Sequence, residues 1–182
     1  MTREEFGKLL NLETDHIPVG KKNRSGKKIE VEYITVHNTD NDNKGADAHA
    51  HAKFVKNTGY YVLPSGKRQY VSWHYSVDDI RIVNHLPLKE RAIHAGSAAG
   101  NSKSIGIEIC MNKGIDQAAA NLRAARLVAA LLYDLKIQST EVAPHYHWSK
   151  KNCPRLLLNN GKPGTKWDDF IQLIQQELAR ID

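Results

Sequence analysis

The stretch Ser104–Cys110, "SIGIEIC", alternates strictly. Ile105, Ile107 and Ile109 fall on one side of an extended chain, and Ser104, Gly106, Glu108 and Cys110 on the other. A side-chain period of two is that of a β-strand with one apolar face, which must be covered by another layer. Further upstream, "VEYITVHNT" (31–39) is rich in β-branched and aromatic residues and reads as a second strand. "YVLPSGKRQYVSWHYSVDD" (61–79) reads as two extended runs around the Pro64–Gly66 turn, and "DIRIVNHLPL" (79–88) as a short strand ending at a proline. Helical signals fall between and around these runs. Thr2 with Glu5 forms a capping box for a short first helix. Helix formers run from Asp47 to about Lys56. Residues 116–136 are apolar almost all round, which predicts a buried helix. A last helix is predicted from Thr165, with Asp168 completing a second capping box and Trp167, Phe170, Ile171, Ile174, Leu178 and Ile181 as its apolar stripe. Strands mixed with helices predict an α/β fold, a single central mixed β-sheet flanked by helices.

The 182 residues suit one domain with a real core, divided as N-terminal helix and loop (1–29), a motif-bearing centre (30–158) and a C-terminal helix (163–182). No internal repeat or low-complexity linker suggests a second domain. No window approaches 18 consecutive apolar residues, which excludes a membrane-spanning helix. The start, "MTREEFGKLLNLE", is charged and lacks the apolar centre of a secretory signal, so synthesis in the cytoplasm is expected. Two cysteines, Cys110 and Cys153, do not make a disulfide framework. A net charge of +6 favours a polyanionic partner. The only dense basic run, "GKKNRSGKK" (20–28), reads as a solvated loop.

Three features carry chemistry. His37 ends a strand and opens into the turn-prone "NTDNDN", a common place for functional side chains. Glu108 sits in an isoleucine-rich strand, where a carboxylate is costly to bury unless it is paired or its pKa rises. Its small neighbours Ser104 and Gly106 leave room for a ligand, although a solvated strand face would read the same way. The third is "PHYHWSKKNCPRLLL" (144–158), in which seven residues separate His145 from Cys153. Zinc accepts imidazole nitrogen and thiolate sulfur together, and catalytic sites take three protein ligands. His37, His145 and Cys153 make such a set, and on chemistry alone His147 substitutes for His145. His49 and His51 are poor alternatives, because residues two apart on a helix face different ways. A competing reading makes Cys153 a nucleophile with His145 as its base. Lys150 and Lys151 favour a thiolate in either case. Residue chemistry leaves both readings open.

The motifs "YITVHNT", "GADAHAHAKFVKN", "SWHYSVDD", "HLPL", "AIHAG", "SIGIEIC" and "PHYHWSKKNCPRLLL" occur in this order. Over about residues 17–158 the chain thereby resembles the zinc-dependent N-acetylmuramoyl-L-alanine amidases of the phage-lysozyme and peptidoglycan-recognition-protein type, especially phage and prophage endolysins of bacilli. The resemblance implies one zinc ion per chain, held by His37, His145 (not His147) and Cys153. It implies Glu108 as the catalytic carboxylate and Lys151, rather than Lys150, as the catalytic lysine. His74 and His94 match positions lining the substrate groove, and Trp73 and Asn38 are assigned to substrate binding beside them. Two departures stand out. Trp73 occupies a position where some relatives carry a catalytic tyrosine, which shifts the base role onto Glu108. Ile93 replaces an aromatic, giving "IHAG" for the usual "WHAG".

The implied activity is cleavage of the amide joining N-acetylmuramic acid to L-alanine of the peptidoglycan stem peptide. Zinc would lower the pKa of a bound water to about 7 and polarise the carbonyl. Glu108 would take the water's proton and pass it to the leaving amine, and Lys151 would offset the charge of the tetrahedral intermediate. The alternative is a non-catalytic peptidoglycan-binding module of the same fold, whose members tend to lose the cysteine that is present here. A nucleic-acid binder, suggested by charge alone, would show a steep salt dependence. The expected partner is therefore peptidoglycan, met by a monomer, with no nucleic acid, no membrane and no separate wall-binding domain. The protein would act on the bacterial wall after release or export.

Overall fold

A computed structural model describes residues 1–182. In chain order the elements are α1 (Arg3–Lys8), β1 (Leu12–Thr14), β2 (Tyr33–Asn38), α2 (Ala48–Asn57), β3 (Tyr60–Val62), β4 (Arg68–Tyr70), β5 (Tyr75–Val77) and β6 (Ile82–Asn84). There follow α3 (Ala98–Lys103), β7 (Ser104–Ile109), α4 (Gln117–Leu135), β8 (Val142–Pro144), α5 (His145–Ser149) and α6 (Thr165–Leu178). Six strands form one sheet in the order β1-β6-β5-β7-β2-β8. Only β5 and β6 pair antiparallel. The sheet is therefore mixed, as the alternating runs predict. β3 and β4 form a separate antiparallel hairpin across the Pro64–Gly66 turn.

The isoleucine faces of β2 and β7 carry the main core. Ile34, Val36, Ile105, Ile107 and Ile109 share one apolar cluster with Leu127 and Val128 of α4 and with Trp167, Phe170 and Ile174 of α6. Burying each such large side chain is worth roughly 1.5–3 kcal/mol. α4 touches the sheet through β5 and β7 and touches α6 as well. It is covered on two sides, which explains why it is apolar almost all round. Phe6 of α1 and Leu10 join the same cluster.

Two local expectations need correction. The capping box of α1 forms, with the Glu5 amide donating to Thr2 Oγ1 and the Thr2 amide to the Glu5 carboxylate. The second capping box does not. Thr165 is already inside α6, and Gly164 is the N-cap, with no side chain to offer. Asn159 supplies the cap from outside, its Oδ1 accepting from the Lys166 amide at 3.0 Å and its Nδ2 donating to Thr165 Oγ1 at 3.2 Å. The basic run is also not wholly a solvated loop. Arg24 makes a two-pronged pair with Glu90, both bonds 2.9 Å. Asn23, 3% exposed, donates to the carbonyls of Val55 and Val71. The intervening loop is thus pinned to the body of the protein.

Candidate metal centre

β2 and β7 run parallel with His37 directly beside Glu108. Both side chains lie on the face opposite the isoleucines, near the carboxyl ends of their strands. The crevice beyond such ends is where open α/β sheets bind ligands. A chain of hydrogen bonds fastens the neighbouring elements to this face. Trp148 Nε1 donates to Thr35 Oγ1 (2.9 Å), the Thr35 hydroxyl to Ser104 Oγ (2.7 Å), and the Ser104 hydroxyl to the Gly100 carbonyl (2.7 Å). α5 is thereby held across the sheet with His145 at its first turn. The Trp148 ring lies so close to Gly100 that a Cβ there would come within 2.8 Å of it. Glycine is the residue this approach requires.

Three donor atoms converge. His37 Nδ1 lies 3.0 Å from His145 Nδ1 and 3.7 Å from Cys153 Sγ, and the three ligand atoms all lie within 4.8 Å of one another. The residues are 1%, 6% and 4% exposed. Tetrahedral zinc, with bonds near 2.0–2.1 Å to nitrogen and 2.3 Å to sulfur, sets its ligands about 3.3–3.6 Å apart. The set fits such an ion with small adjustments. Burial holds His37 well below the usual imidazole range, with His94, His145 and Lys151 adding to the effect. Burial, then the Lys151 charge, lowers His145 to about 4. Both rings are therefore neutral at pH 7, the form that binds metal. Burial pushes the Cys153 thiol up to about 12. A nucleophilic cysteine needs a lowered pKa, so this environment opposes the nucleophile reading, whereas a coordinating thiol is deprotonated outright by the ion.

Glu108 stands at the edge of this set. Its Oε1 is 3.9 Å from His37 Nδ1, and its Oε2 is buried without a hydrogen-bond partner. Burial raises its carboxyl to about 8, against the pull of Lys151 and with a smaller push from Asp40. Lys150 and Lys151 go separate ways. Lys150 takes a left-handed backbone conformation, φ 61°, and lays its ammonium over the Tyr146 ring. Lys151 borders the groove. That groove encloses about 770 Å³, with the donor set and Glu108 lining it and Tyr61 and Leu63 of the β3–β4 hairpin on its wall.

The other singled-out residues divide. His94, Trp73 and Asn38 border the groove, as does Ile93. His74 does not. It is fully buried, its Nε2 donating to the Glu90 carbonyl (2.8 Å) and its Nδ1 accepting from the Gly106 amide (3.0 Å). A side chain with both nitrogens engaged by backbone has nothing left for a substrate. The Asn38 side chain is also committed, its Oδ1 accepting from the Leu156 amide at 3.0 Å. His147 is exposed and packs its ring on Trp148 and Tyr33, away from the donor set. His49 pairs with Glu13 at the surface. Tyr61 and Asn101 were not foreseen. Tyr61 rests on Phe54, ring centroids 5.3 Å apart. Asn101 Oδ1 accepts from the amides of both His94 and Ala95 at 2.8 Å, fixing the loop that carries His94. Neither residue stands in a sequence pattern that would have marked it.

A family model described as N-acetylmuramoyl-L-alanine amidase matches residues 26–156. The amidase XlyA of Bacillus subtilis (strain 168) is 44% identical over 164 residues, covering 89% of this chain and 50% of XlyA. The amidase CwlH of the same organism is 43% identical over 166 residues, covering 90% of this chain and 60% of CwlH. The chain thus spans half to three fifths of the length of these curated relatives. The structure of the XlyA catalytic domain superposes with a TM-score of 0.80 at 44% identity, covering 91% of this chain and 99% of that domain.

Proposed function

The chain belongs to the N-acetylmuramoyl-L-alanine amidase family, and from that membership we propose that it hydrolyses the amide between N-acetylmuramic acid and L-alanine in peptidoglycan, with one zinc ion bound by His37, His145 and Cys153. The observation that carries this reading is the convergence of two neutral imidazoles and a thiol within 4.8 Å at a groove that also holds an unpartnered carboxylate oxygen. The ion, when bound, supplies a Lewis acid for the scissile carbonyl and an acidified water.

The rest of the chemistry falls to side chains. Glu108, whose Oε1 lies 3.9 Å from His37 Nδ1, is the carboxylate that takes a proton from the attacking water and returns it to the departing L-alanine nitrogen. A carboxyl raised toward neutrality by burial suits both halves of that transfer. The Lys151 ammonium at the groove edge favours negative charge developing on the carbonyl oxygen. Water adds to the carbonyl carbon, the C–N bond breaks, and the products are the muramic carboxylic acid and a free stem-peptide amine. The substrate places the site of action at the bacterial wall, reached by release or export.

The test has two parts, elemental analysis of the purified protein and mass spectrometry of muropeptides after digestion of wall. About one zinc per chain and free stem peptides with an N-terminal L-alanine are expected. Metal-free protein cutting wall at full rate would overturn the metalloamidase reading, and intact muropeptides would point to the binding module instead.

A further inference from the structure

His37 has two ring nitrogens, and the metal reading uses only one. Its Nδ1 faces His145 and Cys153, while its Nε2 lies 2.9 Å from His94 Nδ1. A neutral imidazole carries a single N–H. For Nδ1 to offer its lone pair to an ion, the proton must sit on Nε2, which then donates to His94 Nδ1. The other tautomer would aim an N–H at His145 and Cys153 and close the site. His94 Nδ1 must accordingly be an acceptor, and the His94 proton sits on its own Nε2. That nitrogen is buried and has no hydrogen-bond partner.

We propose that His94 is a positioning residue of the metal centre, holding His37 in the tautomer and ring orientation that present Nδ1 to the ion, rather than a residue that grips substrate. This rests on the metal reading above. The surroundings of His94 suit the task. Asn101 clamps its backbone through the amides of His94 and Ala95. Its ring lies flat on Gly106, where a Cβ would come within 2.8 Å of its Cγ and Nδ1. His74 in turn accepts from the Gly106 amide, so that buried histidine braces the floor on which His94 rests. Partners that fix a metal-binding histidine commonly contribute 10- to 100-fold in metal affinity.

The experiment compares zinc affinity, by competition with a chromophoric chelator, in wild type, His94→Leu and His94→Asn. Leucine keeps bulk and removes the acceptor. Asparagine restores an oxygen close to where Nδ1 stood. His94→Leu is expected to bind zinc about 10- to 100-fold more weakly, with His94→Asn recovering most of the loss. Melting temperatures of the metal-free proteins should stay close together. Equal affinity in all three would overturn the proposal, and so would equal loss in both variants, which would make bulk the cause. Should His94→Leu fail to fold, nitrogen-15 spectra of the imidazoles in zinc-loaded wild type decide. The proton is expected on Nε2 of both His37 and His94, and a proton on His94 Nδ1 would overturn the proposal. A wild type that takes up no zinc removes the metal reading itself, whereas unchanged affinity in the variants removes only the role of His94.

Discussion

His145 and His147 stand two positions apart and have opposite surroundings, one buried against His37 and Cys153, the other exposed over Trp148. Replacing His145 by alanine is expected to abolish zinc binding, and the same change at His147 to leave it nearly intact. Equal zinc loss in both variants, with circular dichroism unchanged, would refute the ligand assignment. Glu108 gives a second prediction. Glu108→Gln keeps the shape of the side chain and removes its ability to accept a proton. Activity should fall by about 10²–10⁴-fold, with zinc content and melting temperature retained. Loss of activity only in proportion to unfolding would make Glu108 structural. At this scale the sequence was informative about residue types. Imidazole, thiol and carboxylate announce their chemistry, but burial and neighbours decide which copy of each is used. His74 illustrates the limit. Its motif suggested a groove position, and hydrogen bonds to Glu90 and Gly106 hold it beneath the groove.

Among the elements, the long ones follow directly from their patterns. β7 and α4 were legible because period two and an all-round apolar surface each have one stable solution in a layered fold. The start of α6 was not, because its cap comes from Asn159, outside the helix and across a turn. Asn159→Ala is therefore expected to cost about 1 kcal/mol, read as a fall in melting temperature of about 2–4 °C for a chain of this size. Thr165→Ala should change it far less, since Thr165 accepts one bond from Asn159 and caps no amide. A larger effect at Thr165 would restore the capping box expected from the sequence.

For the whole molecule, ligand binding and protons act on folding together. If zinc binds the folded chain alone, zinc at about 100 times its dissociation constant adds about 2.7 kcal/mol. A strong chelator should then lower the melting temperature by roughly 5–10 °C. An unchanged melting temperature in a protein stripped of zinc would argue against a site linked to folding. Acid should destabilise the chain even without metal. Burial holds His74 at about 4 and His85 at about 3, below the value of 6.5 expected when unfolded. Between those values the unfolded chain binds more protons. The stabilisation is thus complete above pH 6.5 and is lost as pH falls toward 4 and then 3. Denaturant melts across that range should show it, and stability flat from pH 7 to 4 would contradict it. By itself the sequence determined the fold class and the order of most elements, because periodicity is a local property, and its motifs, through the family they resemble, picked out His37, His145 and Cys153 as the donor set. Only the tertiary structure decided that His74 lies under the sheet's active face and that His94 bonds to His37, and it brings His145, the histidine picked out by the resemblance, up to His37 and Cys153. Those facts depend on strand register and on how α5 and the loop before α3 cross β2 and β7, and contacts between residues 57 or 108 positions apart leave no periodic trace in the chain.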